Sequence, residues 1–307
     1  MSARSRGNGI YFGMPADEYH TAPALGSTDH KKLLISPMSY WWDSAHNPAR
    51  PTDDGDTPAL IFGRAIHYAI ERGRVEFEKA YGEKTLNWST VEGKAEKKRF
   101  ETAGKIALPT EDYERILAAS TIIRSRPSLT DAFVGGAHEV SVFWESEGIP
   151  LKARFDYLKQ KAIVDLKSIR NSRDIDFRTA CRNAIAQFHY DVQARHYLEA
   201  RAVMPSLYEE GMVHGEHDDD WLKKVVYARQ AAFVLVFYQA TEAPLTWACQ
   251  LSPGNELLQI AKHKVLRARE IYRENRDRFG TEAAWIADEP IEELDTSDMP
   301  GWFMTQM

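Results

Sequence analysis

"ARFDYLKQKAIVDLKSIRN", residues 153–171, decides how the rest of the chain is read. Phe155, Tyr157, Ile163, Val164 and Leu166 are ordinary strand material, and the segment predicts two strands joined at Gln160–Lys161. Side chains on a strand alternate faces, so Asp165 and Lys167 point to one side and Leu166 to the other, into the core. A hairpin symmetric about Gln160–Lys161 places Asp156 directly across from Asp165 on that same face. Folding needs neither carboxylate nor the lysine, and two carboxylates side by side repel unless something cationic sits between them. The connection "KQKA" carries no glycine signal of a tight hairpin, which makes the turn the weakest part of this reading.

Paired oxygen ligands with a neighbouring lysine suit a hard divalent ion, Mg²⁺ or Mn²⁺, which binds carboxylates and backbone carbonyls and keeps several waters. Such an ion lowers the pKa of a bound water and neutralises charge on a phosphate oxygen. A lysine alongside can orient the water or stabilise the developing charge. The same Asp-x-Lys spacing is also that of a plain ion pair on an exposed sheet face, and spacing alone does not separate the two.

The wider composition bounds the answer. The chain has 307 residues, 43% hydrophobic and 27% charged, which is a globular balance with material for a real core. No run approaches the roughly 18 apolar residues of a membrane helix. The opening "MSARSRGNG" lacks the apolar region of a signal peptide, so the cytoplasm is the expected compartment. Cys181 and Cys249 are too few for a disulfide framework or a cysteine-ligated metal and are expected to be buried thiols. A net charge of −6 means that any nucleic-acid role needs a local basic face.

Along the chain, residues 1–26 read as an irregular lead-in. Ser27 or Thr28 is expected to cap a short helix ended by Pro37, with an aromatic-rich helix following through Tyr40, Trp41 and Trp42. Residues 47–58 read as a loop, and "ALIFGRAIHYAIERG" as a helix with Ile66, Ala69 and Ile70 on its apolar stripe and Gly73 as its stop. His67 and Glu71 share one face of it. Residues 83–110 read as a charged surface insertion, and Thr110 as the cap of the next helix, striped by Tyr113, Ile116, Leu117 and Ser120. Strands are expected at "HEVSVFWE", "PLKARFDYL", "KAIVDLKS", "KKVVYARQAAFVLVFYQA" and "LTWACQLS". Helices are expected near 175–186, 188–204 and 255–278. This order predicts one mixed α/β domain over 1–307: a lead-in with helices to 58, a core over 59–250, and a C-terminal helix and tail over 251–307.

Several stretches together resemble the PD-(D/E)XK nuclease superfamily, in particular RecE-type exonucleases (exonuclease VIII), close to RecB-like nucleases. They are "RFDYL…IVDLKS", "STDHKKLLISPMSYW", "GRAIHYAIE", "HEVSVFW", "DVQARHYLEA" and "AAWIADEPIEELDTSDMPGWF", spread over roughly 10–303. The resemblance implies a restriction-endonuclease-like α/β domain, a central mixed sheet flanked by helices. It implies that Asp156, Asp165 and the Leu166 carbonyl bind Mg²⁺, with Mn²⁺ able to substitute. His67 would be a further ligand or an orienter of one, and Glu139 a second-metal or water-mediated ligand. Lys167 would act on the attacking water, while Gln193 and Tyr197 hold Lys167 or the scissile strand. Without the resemblance, His67 reads as a core histidine, Glu139 as a solvent-facing strand residue, and Tyr197 equally as core packing. Glu71 reads as a structural helix partner. His138, next to Glu139, sits on the other face.

The resemblance further implies hydrolysis of linear duplex DNA from an end, 5′→3′, leaving 3′ single strands for a RecT-like annealing protein in phage-type recombination. It also implies a ring-like homotetramer. A RecB-like nuclease of other polarity, an endonuclease, and a non-catalytic DNA-binding module are the alternatives. The local cations between Lys152 and Arg182, with Arg154, Arg170, Arg173 and Arg178 foremost, are the expected phosphate contacts. The cations of the helix near 255–278 are the expected lining of a channel or an interface.

Overall fold

The structure is a computed structural model and describes residues 7–50, 57–129, 131–171, 174–239, 243–286, 291–299 and 301–304. The lead-in is less irregular than expected. It holds a strand, β1 (Gly9–Tyr11), and a short helix, α1 (Ala16–Thr21). The helices α2 (Ser27–Ile35) and α3 (Pro37–Asp43) follow as read, but Gly26 caps α2. The Gly26 N–H donates to Asp29 Oδ2 at 2.7 Å, while Ser36 caps α3 by accepting from the Ser39 N–H. Helix α4 (Pro58–Arg72) begins on the Thr57 side chain and ends at Gly73, whose φ of 83° an L side chain resists.

The stretch read as a plain insertion is ordered. Helix α5 (Arg74–Ala80) leads into β2 (Tyr81–Lys84), α6 (Val91–Ala103) and β3 (Ile106–Pro109), and β2 and β3 form a small parallel sheet of their own. Helix α7 (Thr110–Arg124) follows. Pro109 occupies its cap position, and the Thr110 hydroxyl instead donates to the Lys84 carbonyl.

Strands β4 (Ala137–Ser146), β5 (Ile149–Leu158) and β6 (Ala162–Ser168) make the antiparallel centre of the main sheet. Helices α8 (Phe177–Gln187) and α9 (Tyr190–Glu209) carry the chain on to β7 (Val213–His214) and α10 (Asp219–Val226). β8 (Ala232–Tyr238), β9 (Thr246–Leu251), helix α11 (Glu256–Phe279) and a short helix α12 (Gly301–Met304) complete the order. The segment "KKVV", expected to begin a strand, is the end of α10. Asp218 caps that helix and Asp219 and Asp220 fill its first turn, and this outweighs the strand preference of Val225 and Val226. The sheet runs β7-β1-β4-β5-β6-β8-β9, mixed, with β6 parallel to β8 and β1 parallel to β7. The expected mixed sheet flanked by helices is what forms.

Each face of the sheet has its own core. On the α9 side lie Val140, Val142, Trp144, Leu151, Ala153, Phe155, Ile163, Phe233 and Leu235, with Ala194, Tyr197 and Ala200 of α9. On the α4 and α7 side lie Tyr157, Val164, Leu166, Val236 and Tyr238, with Ile66, Ile70, Ile116 and Ile123. Phe155 and Tyr157 are two apart on one strand yet belong to opposite cores, so β5 changes faces at Asp156. The β4–β5 ladder pairs Val140 with Phe155 and His138 with Tyr157 and passes over Glu139 opposite Asp156. Glu139 has a φ of 50°, which is uncommon for a residue with a Cβ. This irregularity is where the candidate site sits.

Candidate active site

The β5–β6 hairpin has the symmetric register read from the sequence. Tyr157 pairs with Val164 and Leu158 with Ile163, and the Lys159 N–H donates to the Ala162 carbonyl at 2.8 Å. Beyond Tyr157 the regular pairing stops. Asp156 puts its side chain where a strand carbonyl would be, and Oδ2 accepts the Leu166 N–H at 3.0 Å. The two aspartates therefore do not share one sheet face, as the plain hairpin predicts. Asp156 lies at the parting of the strands and touches α4, where His67 Nε2 is 3.6 Å from Oδ2. Asp165 is fully buried and held from α9, where Gln193 Nε2 donates to Oδ1 at 2.7 Å. Its other oxygen, Oδ2, pairs with Lys167 Nζ at 2.6 Å.

Electrostatics follow from these positions. Burial pushes Asp165 up to about 6, the Asp156 charge adds to that, and Lys167 offsets only part of it. Asp156 moves the other way. Burial opposes its charge, but the His67 hydrogen bond, the Lys167 charge and the Leu166 N–H together hold it below the usual carboxylate range. His67 and Lys167 are both held above their ordinary values, because the carboxylates around them outweigh their own burial. The site in this form sets anionic Asp156, cationic Lys167 and a His67 whose protonated form is favoured around a reluctant Asp165.

A second layer continues on the α4 side. Glu71 is buried, lies 3.5 Å from His67 Nδ1 through Oε2, and bonds His138 Nδ1 through Oε1. Asp156, His67, Glu71 and His138 thus form a chain of alternating carboxylates and imidazoles. Glu71 acts here as a positioning partner of His67, and His138 points away from Glu139 toward α4. The sequence gives His138 no role, because only the face switch brings it to Glu71. On the α9 side, Lys31 of α2 is also a neighbour that the sequence reading leaves out. Its Nζ lies 5.0 Å from the centroid of the Tyr190 ring, and Lys167 Nζ lies 5.1 Å from the same ring. Burial and then the Lys167 charge lower Lys31 to about 8.

Other expected residues are placed differently. Gln193 holds Asp165 and not Lys167. Tyr197 is core packing, edge-on to Phe155 and Phe233. Glu139 stands at the rim, its side chain 59% exposed and 3.9 Å from Arg72 Nη2, apart from the two aspartates' hydrogen bonds. Leu166 offers its N–H to Asp156 and its side chain to the α4-side core.

The expected basic face is thinner than the sequence suggests. Arg154 donates to Ser141 Oγ at 2.9 Å and to the Met14 carbonyl at 2.8 Å, and lies over the Tyr19 ring, so it is a structural tie. Lys152 is buried, with Nζ on the carbonyls of Tyr19 and Ala22. Arg170 and Arg178 are exposed, and Arg173 lies outside the described residues. On α11, Lys264 pairs with Asp191 at 2.7 Å, Arg269 with Glu199 at 2.9 Å and Arg273 with Glu147. These three cations are engaged within the chain, whereas Lys262 on the same helix is exposed. Of the thiols, Cys181 is buried and Cys249 only half-buried.

The donor set fits a hard divalent cation. The carboxylates of Asp156 and Asp165 and the His67 imidazole are donors of the kind such an ion takes, and Lys167 Nζ now stands on Asp165 Oδ2 at 2.6 Å. Among the described residues no three His, Cys, Asp or Glu side chains are already drawn together as a metal-holding group. Lys167 and His67 meanwhile supply the positive charge. No helix among the described residues is long and apolar enough to cross a membrane.

No curated protein matches the sequence. A crystal structure described as "Putative exonuclease" from Eubacterium rectale is similar at 16% identity, with a TM-score of 0.49, over 85% of this chain and 86% of that one. A family of PDDEXK-like domains of unknown function matches residues 28–210, the span from α2 through α9 that contains His67, Asp156, Asp165, Lys167 and Gln193. By that match the chain belongs to the PDDEXK-like domain family DUF3799, within the PD-(D/E)XK nuclease superfamily.

Proposed function

We propose that the chain is a divalent-metal-dependent nuclease that hydrolyses DNA phosphodiester bonds at the parting of β5 and β6. The observation that carries this is Asp165: fully buried, one oxygen fixed by Gln193 and the other paired with Lys167, at the strand parting where Asp156 meets His67. Burial pushes this carboxylate up to about 6 in the metal-free protein, and a bound cation would favour its charged form.

Asp156, Asp165 and the Leu166 carbonyl would hold Mg²⁺ or Mn²⁺, with His67 as a further ligand or as the group that orients Asp156. When bound, the ion supplies an activated water and charge neutralisation at the phosphate. Gln193 fixes the Asp165 carboxylate so that one oxygen stays aimed into the gap. Lys167 is held in its charged form, which suits it to stabilising negative charge on the phosphate oxygens more than to taking a proton from water. Glu71 fixes the His67 ring through Nδ1 and leaves Nε2 turned to Asp156.

Action on linear duplex ends, 5′→3′ polarity, a homotetramer and hand-over of 3′ tails to a RecT-like annealing protein form the finer reading. Their support is the resemblance of the motif set to RecE-type exonucleases. Linear duplex labelled at the 5′ or the 3′ end, incubated with and without Mg²⁺, tests the proposal. Loss of the 5′ label as mononucleotides, abolished by EDTA and restored by Mg²⁺ or Mn²⁺, is expected. Digestion that continues in EDTA would overturn the metal-dependent reading. Cutting of closed circular duplex would replace the exonuclease by an endonuclease.

A further inference from the structure

A cavity of about 800 Å³ lies between the outer side of α9, the α10–β8 connection and the start of α11. Gln193 and Tyr197 point from α9 toward the sheet, whereas Arg195, Leu198 and Ala202 of the same helix line this cavity. It is therefore separate from the β5–β6 gap. Four cations face it: Arg195, Arg201, Arg229 and Lys262. None of the lining residues is an aspartate or glutamate, in a chain whose net charge is −6. The hydroxyl of Tyr227, a lining residue, donates to Glu209 at 3.2 Å.

Arg201 is the telling residue. It is 5% exposed and donates through Nη2 to the Val225 carbonyl, yet no carboxylate pairs with it among the described residues, and its Nε is buried without a partner. Arg195 Nε is likewise buried and unpartnered. Burial alone lowers Arg201 to about 10, with no counter-charge to offset it. A buried guanidinium without an anion is costly, and on α11 the neighbouring Arg269 and Lys264 each have one.

The geometry points to a second ligand site, independent of the catalytic reading, that takes the phosphate of a nucleotide. Arginine matches a phosphate with two parallel N–H bonds, which is the chemistry that Arg195, Arg201 and Arg229 offer together. The volume suits a ligand of nucleotide size. Tyr227 offers a half-exposed ring as an apolar wall for a base, and Gln230 and Gln259 offer amide groups for its edges. The phosphate can come from a free mononucleotide or from a single DNA strand.

Both sources can be tested on the full chain in EDTA, where hydrolysis is not read. The probes are deoxyadenosine 5′-monophosphate by calorimetry and a fluorescein-labelled single-stranded oligonucleotide by anisotropy. Arg201→Gln risks the fold, because it removes the bond to Val225, so the test uses the exposed pair Arg229→Glu with Lys262→Glu, with circular dichroism to confirm folding. The double variant should weaken the tighter-binding probe about tenfold or more, and that probe identifies the source. Equal affinity of wild type and variant for both probes would overturn the site, as would binding of neither probe at low salt. Tighter binding of poly-glutamate than of either probe would assign the cavity to an acidic protein partner instead and overturn the nucleotide.

Discussion

Asp165 and Glu96 are both buried carboxylates, and they are held in opposite ways. Glu96, on α6, accepts four hydrogen bonds: from the Thr85 N–H at 3.2 Å, the Thr85 hydroxyl at 2.7 Å, the Leu86 N–H at 3.2 Å and Trp88 Nε1 at 2.9 Å. Those donors, the Thr85 hydroxyl first, pull it down to about 2. Asp165 has only one amide donor and the Lys167 ammonium, and burial pushes it up to about 6. A saturated carboxylate staples a loop and has nothing left to offer. An under-saturated one is unfavourable in the free protein and stays available to a ligand.

The sharpest break of this contrast is Asp165→Ala. Turnover on linear duplex should fall below detection, on the order of 10⁴-fold or more, because a metal-holding group is gone. The melting temperature in EDTA should fall, because Lys167 and Gln193 lose the carboxylate they face. Turnover near the wild-type rate in this variant would make Asp165 a structural residue like Glu96.

Lys167→Ala and His67→Ala divide the remaining work. Lys167→Ala should lower the maximal rate by roughly 10²–10³-fold with Mg²⁺ affinity unchanged, as expected when one charge-stabilising group is lost. His67→Ala should raise the Mg²⁺ concentration needed for half activity, and excess Mn²⁺ should recover most of the rate. Identical profiles for the two variants would show that the roles are misassigned.

Acid titration of the metal-free protein separates the two carboxylates by sign. The folded pKa of Glu96 lies below its unfolded value, so its stabilisation is present above about 4.5 and is lost as pH falls toward about 2. The folded pKa of Asp165 lies above its unfolded value. The folded form then keeps its proton longer, and stability falls as pH rises from about 4 through about 6. Denaturant curves across this range should therefore change slope in opposite directions for Glu96→Gln and Asp165→Asn relative to wild type. Mg²⁺ uptake should strengthen as pH rises through about 6.

The smallest effect belongs to Glu96→Gln at neutral pH. It should lower the melting temperature by a few degrees and leave nuclease activity within about twofold, because the α6 staple is apart from the β5–β6 gap. A large loss of activity would mean that the insertion helps to hold DNA.

These contrasts also mark what could be read from the chain alone. The hairpin register was legible, since alternation around Gln160–Lys161 leaves one symmetric pairing. So was α4 with its Gly73 stop, whereas the placing of His67 and Gln193 beside Asp156, Asp165 and Lys167 came from the resemblance of the motif set and not from the pattern of the residues. The face switch at Glu139 and Asp156 was not legible, because strict alternation of side chains is the assumption it breaks. That switch moves Asp156 to the α4 side and delivers His138 to Glu71. Lys31 was hidden for another reason: on α2 it reads as a polar helix residue, and its place at the Tyr190 ring depends on α2 docking against α9. Arg154 and Lys152 looked free because carbonyl partners such as Met14 and Tyr19 leave no trace in a charge count.

The parallel pairing of β6 with β8 has a consequence for how the chain comes to its native state. Asp165 lies opposite Leu235, and α8, α9, β7 and α10 must all be made and packed before that ladder can close. The β5–β6 hairpin is local and can form early, whereas its burial waits for a long crossover, the slow kind of contact in folding. Until then Asp156, Asp165 and Lys167 remain hydrated. During synthesis the chain thus carries its charged centre in water until α9, with Gln193, and then β8 have been made and can cover it.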